Sequence, residues 1–129
     1  MQADVLVVDD SAAIRKILQR VLRQTGMAID TIHEAGDGEE ALKLLRSHRV
    51  DLVLSDINMP KMDGLALLAA LKKEPEWANV PVVMITTEGG ETKVAEAVRL
   101  GAAGYVRKPF TADQIKEKLA GILKLELPL

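Results

Sequence analysis

Apolar positions along this chain fall into two alternating kinds of run. Five short stretches are rich in β-branched and aliphatic residues and predict strands: VLVVD at 5–9, DTIHEA at 30–35, DLVLSD at 51–56, VPVVMIT at 80–86 and GYVRK at 104–108. The first is continuously apolar, as expected of a strand covered on both faces, and the second is weaker. Pro81 sits near the start of the fourth, where its missing donor does least harm. Between the strands, apolar residues recur at helical spacing. The sets are Ile14, Leu18, Val21 and Leu22; Ala41, Leu44 and Leu45; Leu65, Leu68 and Leu71; Val94, Ala97 and Val98; and Ile115, Leu119, Ile122 and Leu123. Ser11 can cap the first helix and Gly26 close it. Asp37 with Glu40, and Thr111 with Gln114, have capping-box spacing for the second and the last. The third helix should begin at about Gly64, and the fourth should span about 91–100.

Strict alternation of strand and helix implies a mainly parallel sheet with helices on both faces. In such sheets the functional site lies outside the carboxyl ends of the strands. That rule collects otherwise scattered residues. The first strand ends at Asp9-Asp10, the third at Asp56, the fourth at Thr86-Thr87 and the fifth at Lys108. Taken singly, Asp9-Asp10 is a cap with a solvated neighbour, Thr86 a strand residue and Lys108-Pro109 a turn. At four strand ends on one edge, coincidence is a poor explanation. Neighbouring carboxylates repel one another unless a cation intervenes. A small set of oxygen donors suits Mg²⁺, which keeps waters and shares a phosphoryl oxygen. Asp9, Asp10 and Asp56 carry three negative charges, and Mg²⁺ with Lys108 carries three positive ones. Asp carboxylates are nucleophiles toward phosphoryl groups. Asp56 is the best placed, on a loop shaped by Pro60 and Gly64.

Composition narrows the alternatives. The chain has 129 residues, 48% apolar and 28% charged, which predicts a single globular domain over 1–129. A net charge of −2 gives no field for nucleic acid or anionic lipid, and one Trp, one Tyr and one Phe make no base-stacking platform. Cysteine is absent, so thiolate chemistry and disulfides are excluded. No signal peptide or membrane-spanning run is visible, and the expected location is the cytoplasm. EGGE at 88–91 lacks phosphate-loop spacing, and His33 and His48 lack ligand spacing and read as surface residues. Met59, Met62 and Met84 read as gap fillers, and Trp77 as a packing anchor.

The ordered segments VVDDS (7–11), LSDINMPKMDG (54–64), MITTE (84–88) and GYVRKPF (104–110) resemble the receiver domain of two-component response regulators, over nearly the whole chain. Within that family the chain is most similar to single-domain chemotaxis regulators. The resemblance implies a doubly wound, flavodoxin-like α/β fold, with five helices and a five-stranded parallel sheet in the order 2-1-3-4-5. It implies a signalling switch rather than a turnover enzyme. Asp56 would accept a phosphoryl group from the phosphohistidine of a histidine kinase. Asp10, Asp56 and the carbonyl of Asn58 would bind Mg²⁺ directly, with Asp9 acting through water. Lys108 would pair with the phosphoryl oxygens, across a cis bond to Pro109. Thr86 and Tyr105 would form the switch pair, and the face made by the fourth helix, fifth strand and fifth helix would meet a protein partner. Asn58 and Glu88 match positions that tune phosphoryl lifetime, and their identities imply fast decay.

Three departures from the family pattern stand out. Thr87 replaces a usual small residue, Gly90-Glu91 stand where motor-binding members carry lysines, and Arg107 replaces an apolar residue. The expected protein is monomeric, with a flagellar motor switch as output partner and a phosphatase as a further one. The alternatives are a phosphorelay or non-motor receiver, and a receiver cut from a larger regulator. A dehalogenase-type phosphatase would need an acid at position 58, where Asn stands. A flavodoxin would not place Asp9-Asp10 against a flavin phosphate.

Overall fold

The structure is a computed structural model and describes residues 2–87 and 91–122. The elements are β1 (Ala3–Val8), α1 (Ala12–Gln24), β2 (Ile29–Ala35), α2 (Gly38–Ser47), β3 (Leu52–Ser55), α3 (Gly64–Lys73), β4 (Val82–Thr86), α4 (Glu91–Arg99), β5 (Gly104–Arg107) and α5 (Ala112–Ala120). All pairings are parallel, and the strand order is β2-β1-β3-β4-β5, as the resemblance implied.

Alternation along the strands divides the core in two. Leu6, Val8, Val53, Val82 and Met84 point to the side covered by α2, α3 and α4. Val5, Val7, Leu52, Leu54, Val83 and Ile85 point to the side covered by α1 and α5. Central strands need apolar residues at every position, which is why 5–8 and 52–54 read as unbroken runs. At the sheet edge, β2 buries only its two end residues, Ile29 and Ala35, and its pattern is correspondingly diluted. Among the described residues no helix is long and apolar enough to cross a membrane.

Local signals place most helix starts. Ser11 accepts from the Ile14 amide, and Gly26 follows α1 with φ 74°, the left-handed value that ends a helix. Thr111 and Gln114 form the reciprocal capping box at α5. At α2 the box is only half made. Asp37 accepts from Glu40 N, but the Glu40 carboxylate takes the Gly36 amide instead of closing on Asp37. Strand ends also shift. β1 begins at Ala3 and stops before Asp9, β3 stops before Asp56, β4 begins after Pro81, and β5 stops before Lys108. Each charged residue thus leaves the ladder just as it reaches the rim. Ile122 lies beyond the end of α5 and packs on the α1/α5 core, and Leu123 is outside the described residues.

Candidate functional site

The rim formed by the carboxyl ends of β1, β3 and β5 gathers four charged side chains. Each of Asp9, Asp10 and Asp56 presents a carboxylate oxygen, and these oxygens all lie within 4.8 Å of one another. Lys108 Nζ bridges two of the three, donating to Asp9 Oδ2 at 2.7 Å and to Asp56 Oδ2 at 3.3 Å. Its peptide bond to Pro109 is cis.

Asp9 is held at every polar atom. Its amide donates to Ala35 O at 3.1 Å, its Oδ1 accepts from Ser11 N at 2.9 Å, and its carbonyl accepts from Arg15 Nη1 at 2.6 Å. With 2% of its surface exposed, Asp9 is a buried carboxylate satisfied by protein donors. Asp10 is exposed and Asp56 half-buried, so solvent and small ions reach the pocket from their side.

The loop after β3 is fixed by backbone contacts. Asp56 N donates to Val8 O at 2.9 Å, Ile57 N to Asp56 Oδ1 at 2.7 Å, and Gly64 N to Ile57 O at 2.8 Å. A Cβ on Gly64 would run into the carbonyl oxygen of Asp56, so only glycine lets α3 begin this close to the acid. Asp63 caps α3 by accepting from Ala66 N. Gly38 N donates to Met62 O at 3.0 Å, tying the loop to the start of α2.

Burial works against the Lys108 ammonium, but the hydrogen bond to Asp9 and the charges of Asp56 and Asp9 outweigh it. Its pKa therefore lies above the ordinary lysine value. Beside the pocket, Arg15 Nε donates to Glu34 Oε1 at 3.0 Å. Burial raises Glu34, yet Arg15, the nearby charge of Lys16 and the dipole of the Gln19 amide hold it below the usual carboxylate range. The Gln19 amide nitrogen adds that dipole without reaching hydrogen-bond geometry.

Thr86 is fully buried at the end of β4, on the same sheet face as Met84 and Tyr105, and its carbonyl accepts from Lys108 N at 3.0 Å. Tyr105 is half-buried against the α2–α3–α4 core and lines a surface groove of about 640 Å³ with Arg107, Gln114, Lys118 and Ile122. Asn58 is exposed in the loop after Asp56, and Thr87 is exposed just past β4. Glu88 and Gly90 lie outside the described residues.

Sequence reasoning missed Arg15, Glu34 and the Asp63 cap. It also missed that the His33 and His48 rings meet at the surface, with centroids 4.7 Å apart. Helical spacing had assigned roles only to the apolar positions of α1. Arg15 bonds to a backbone carbonyl, which no side-chain pattern reveals.

The donor set is made of hard oxygens, few in number and partly open to solvent, and it fits a small divalent cation such as Mg²⁺. Comparisons with known proteins show what the whole chain is similar to. The family described as response regulator receiver domain matches residues 5–120. A Campylobacter jejuni protein named as a chemotaxis protein CheY homolog is 40% identical over 119 residues, covering 92% of this chain and 90% of that protein. The structure of Vibrio cholerae chemotaxis protein CheY4 superposes with a TM-score of 0.85 at 34% identity, covering 95% of this chain and all of that one (100%). The Mn²⁺-bound form of response regulator Rcp1 superposes with a TM-score of 0.79 at 29% identity, covering 98% of this chain and 99% of that one.

Proposed function

The chain belongs to the response regulator receiver domain family, and from that premise we propose that it is a phosphoacceptor switch of a two-component system, a single receiver domain working in the cytoplasm. The observation that carries this reading is the gathering of three carboxylates within 4.8 Å, with one ammonium hydrogen-bonded to two of them.

Asp56 Oδ1 is held by the Ile57 amide, while Oδ2 faces Lys108. Oδ2 is therefore the attacking atom. It forms a bond to phosphorus as the P–N bond of a kinase phosphohistidine breaks, and the imidazole leaves with that electron pair. Lys108 shifts from the carboxylates to the incoming phosphoryl oxygens, a charge-assisted contact already in reach. Asp10, Asp56 and the Asn58 carbonyl would hold Mg²⁺, with Asp9 acting through water. When bound, the ion neutralises the pocket and the transferred oxygens. Water attacking the same phosphorus releases inorganic phosphate and restores the carboxylate, and Asn58 and Glu88 match the family positions that tune the rate of this decay.

The new charge on Asp56 attracts the Thr86 hydroxyl toward the rim. Thr86 and Tyr105 share a sheet face, so movement of one changes the space available to the other. The α4–β5–α5 face then alters its affinity for a protein partner. A flagellar motor switch is the first candidate, given the chemotaxis naming of the Campylobacter jejuni relative. A non-motor partner is favoured by Arg107, which puts an exposed cation in the middle of that face.

Incubation with acetyl phosphate and Mg²⁺ should add the mass of one phosphoryl group, and chelation should prevent it. No adduct with any small phosphodonor would remove this reading. Thr87 adds bulk beside the rim, so Thr87→Ala should speed both phosphorylation and decay severalfold. Identical rates, followed by intact mass over time, would mean that Thr87 does not restrict access.

A further inference from the structure

Arg15 lies in the N-terminal part of α1, where a cation opposes the helix dipole. Specific contacts must hold it there. Side chains lean toward the N-terminus of their helix, and this one reaches back to the end of β1. One edge of its guanidinium donates to the Asp9 carbonyl at 2.6 Å, and Nε donates to Glu34 Oε1 on β2 at 3.0 Å. The Arg15 side chain is 19% exposed and that of Glu34 36%.

The Asp9 carbonyl belongs to the peptide that joins Asp9 to Asp10. Rotation of that peptide swings Asp10, whose carboxylate is exposed and must still stay within 4.8 Å of the other two. Asp9 itself is already fixed by Ser11, Ala35 and Lys108. The contact from Arg15 is the side-chain hold on the peptide at the Asp10 side.

We infer that Arg15, braced by Glu34, is a positioning residue for the cation site: it fixes the Asp9–Asp10 peptide so that the Asp10 carboxylate stays aimed into the pocket. This rests on the receiver reading above, because it concerns the ion which that reading requires. The planar guanidinium is suited to the task, since it presents donors to a carbonyl and a carboxylate at once. The pair is neutral overall, so its role is separable from long-range attraction of the ion.

The test is calorimetric titration of the whole chain with Mg²⁺ at low ionic strength. The double variant Arg15→Met/Glu34→Gln removes the brace and leaves the net charge unchanged. It should bind Mg²⁺ about tenfold more weakly, the low end for loss of a partner that orients a metal ligand. Arg15→Lys keeps the charge but cannot make both contacts, and should fall between the double variant and the wild type. Wild-type affinity in both variants would overturn the inference. If the double variant does not fold, Arg15→Lys decides alone: weakened binding supports the inference and unchanged binding ends it. Failure of the wild type itself to bind Mg²⁺ would instead strike the receiver reading. A purely structural role would lower the thermal midpoint while leaving Mg²⁺ affinity untouched.

Discussion

Replacing Asp56 with Asn should abolish the phosphoryl adduct while leaving the fold intact. The amide oxygen of Asn can still accept from the Ile57 amide, so the loop keeps its 2.7 Å hydrogen bond. A neutral amide, however, is not a nucleophile toward phosphorus, and the phosphorylation rate should fall on the order of 10³-fold or more. Removing one of three mutually repelling carboxylates also relieves the pocket, so stability should be unchanged or higher. Intact mass over time and a urea midpoint measure the two halves together. Residual phosphorylation of Asp56→Asn at a rate comparable to wild type would place the acceptor elsewhere.

Lys108→Met should be the most destabilising change at the rim, and conditionally so. The variant leaves Asp9, 2% exposed, and Asp56 without their shared cation. Breaking a buried pair from one side leaves an uncompensated charge, and in chelator the loss should be about 2–4 kcal/mol. Mg²⁺ should recover part of it, since an ion that binds only the folded state adds about 2.7 kcal/mol at a hundred times its Kd. The pH dependence follows from the direction of the Lys108 shift. Its folded pKa is raised, so the contribution is complete below the ordinary lysine value near 10.5 and is lost as pH rises through the folded one. The gap between wild type and Lys108→Met should therefore stay flat from neutral pH to mildly alkaline pH and close only at higher pH. A gap that already narrows near neutrality would mean that the ammonium is not what holds the pocket.

Much of this site could be read from sequence because its chemistry sits where strand patterns stop. Asp9, Asp56 and Lys108 each stand one residue past the end of a strand, and the parallel topology brings those ends together. The strands themselves were plain wherever burial is two-sided, as at 52–54, and faint at the edge, where β2 tolerates Asp30, Thr31 and His33. What escaped were contacts made through the backbone or across long separations. Glu40 stands at the spacing of a capping box with Asp37, yet its carboxylate finds the Gly36 amide. Arg15 holds the Asp9 carbonyl, a backbone contact that no side-chain spacing marks. His33 and His48 share no local periodicity, and only the packing of α2 against β2 brings their rings together. Gly64 could be seen as loop punctuation, but not as a close approach to the Asp56 carbonyl.

The role given to Asp56 is a statement about one atom, and chemical trapping reads that atom directly. Borohydride reduces an aspartyl phosphate to homoserine, so the phosphorylated chain can be reduced, digested and sequenced by mass. Homoserine at position 56, absent without Mg²⁺, is the expected result; homoserine at 9 or 10, or a phosphate that survives reduction on a hydroxyl side chain, would contradict the account.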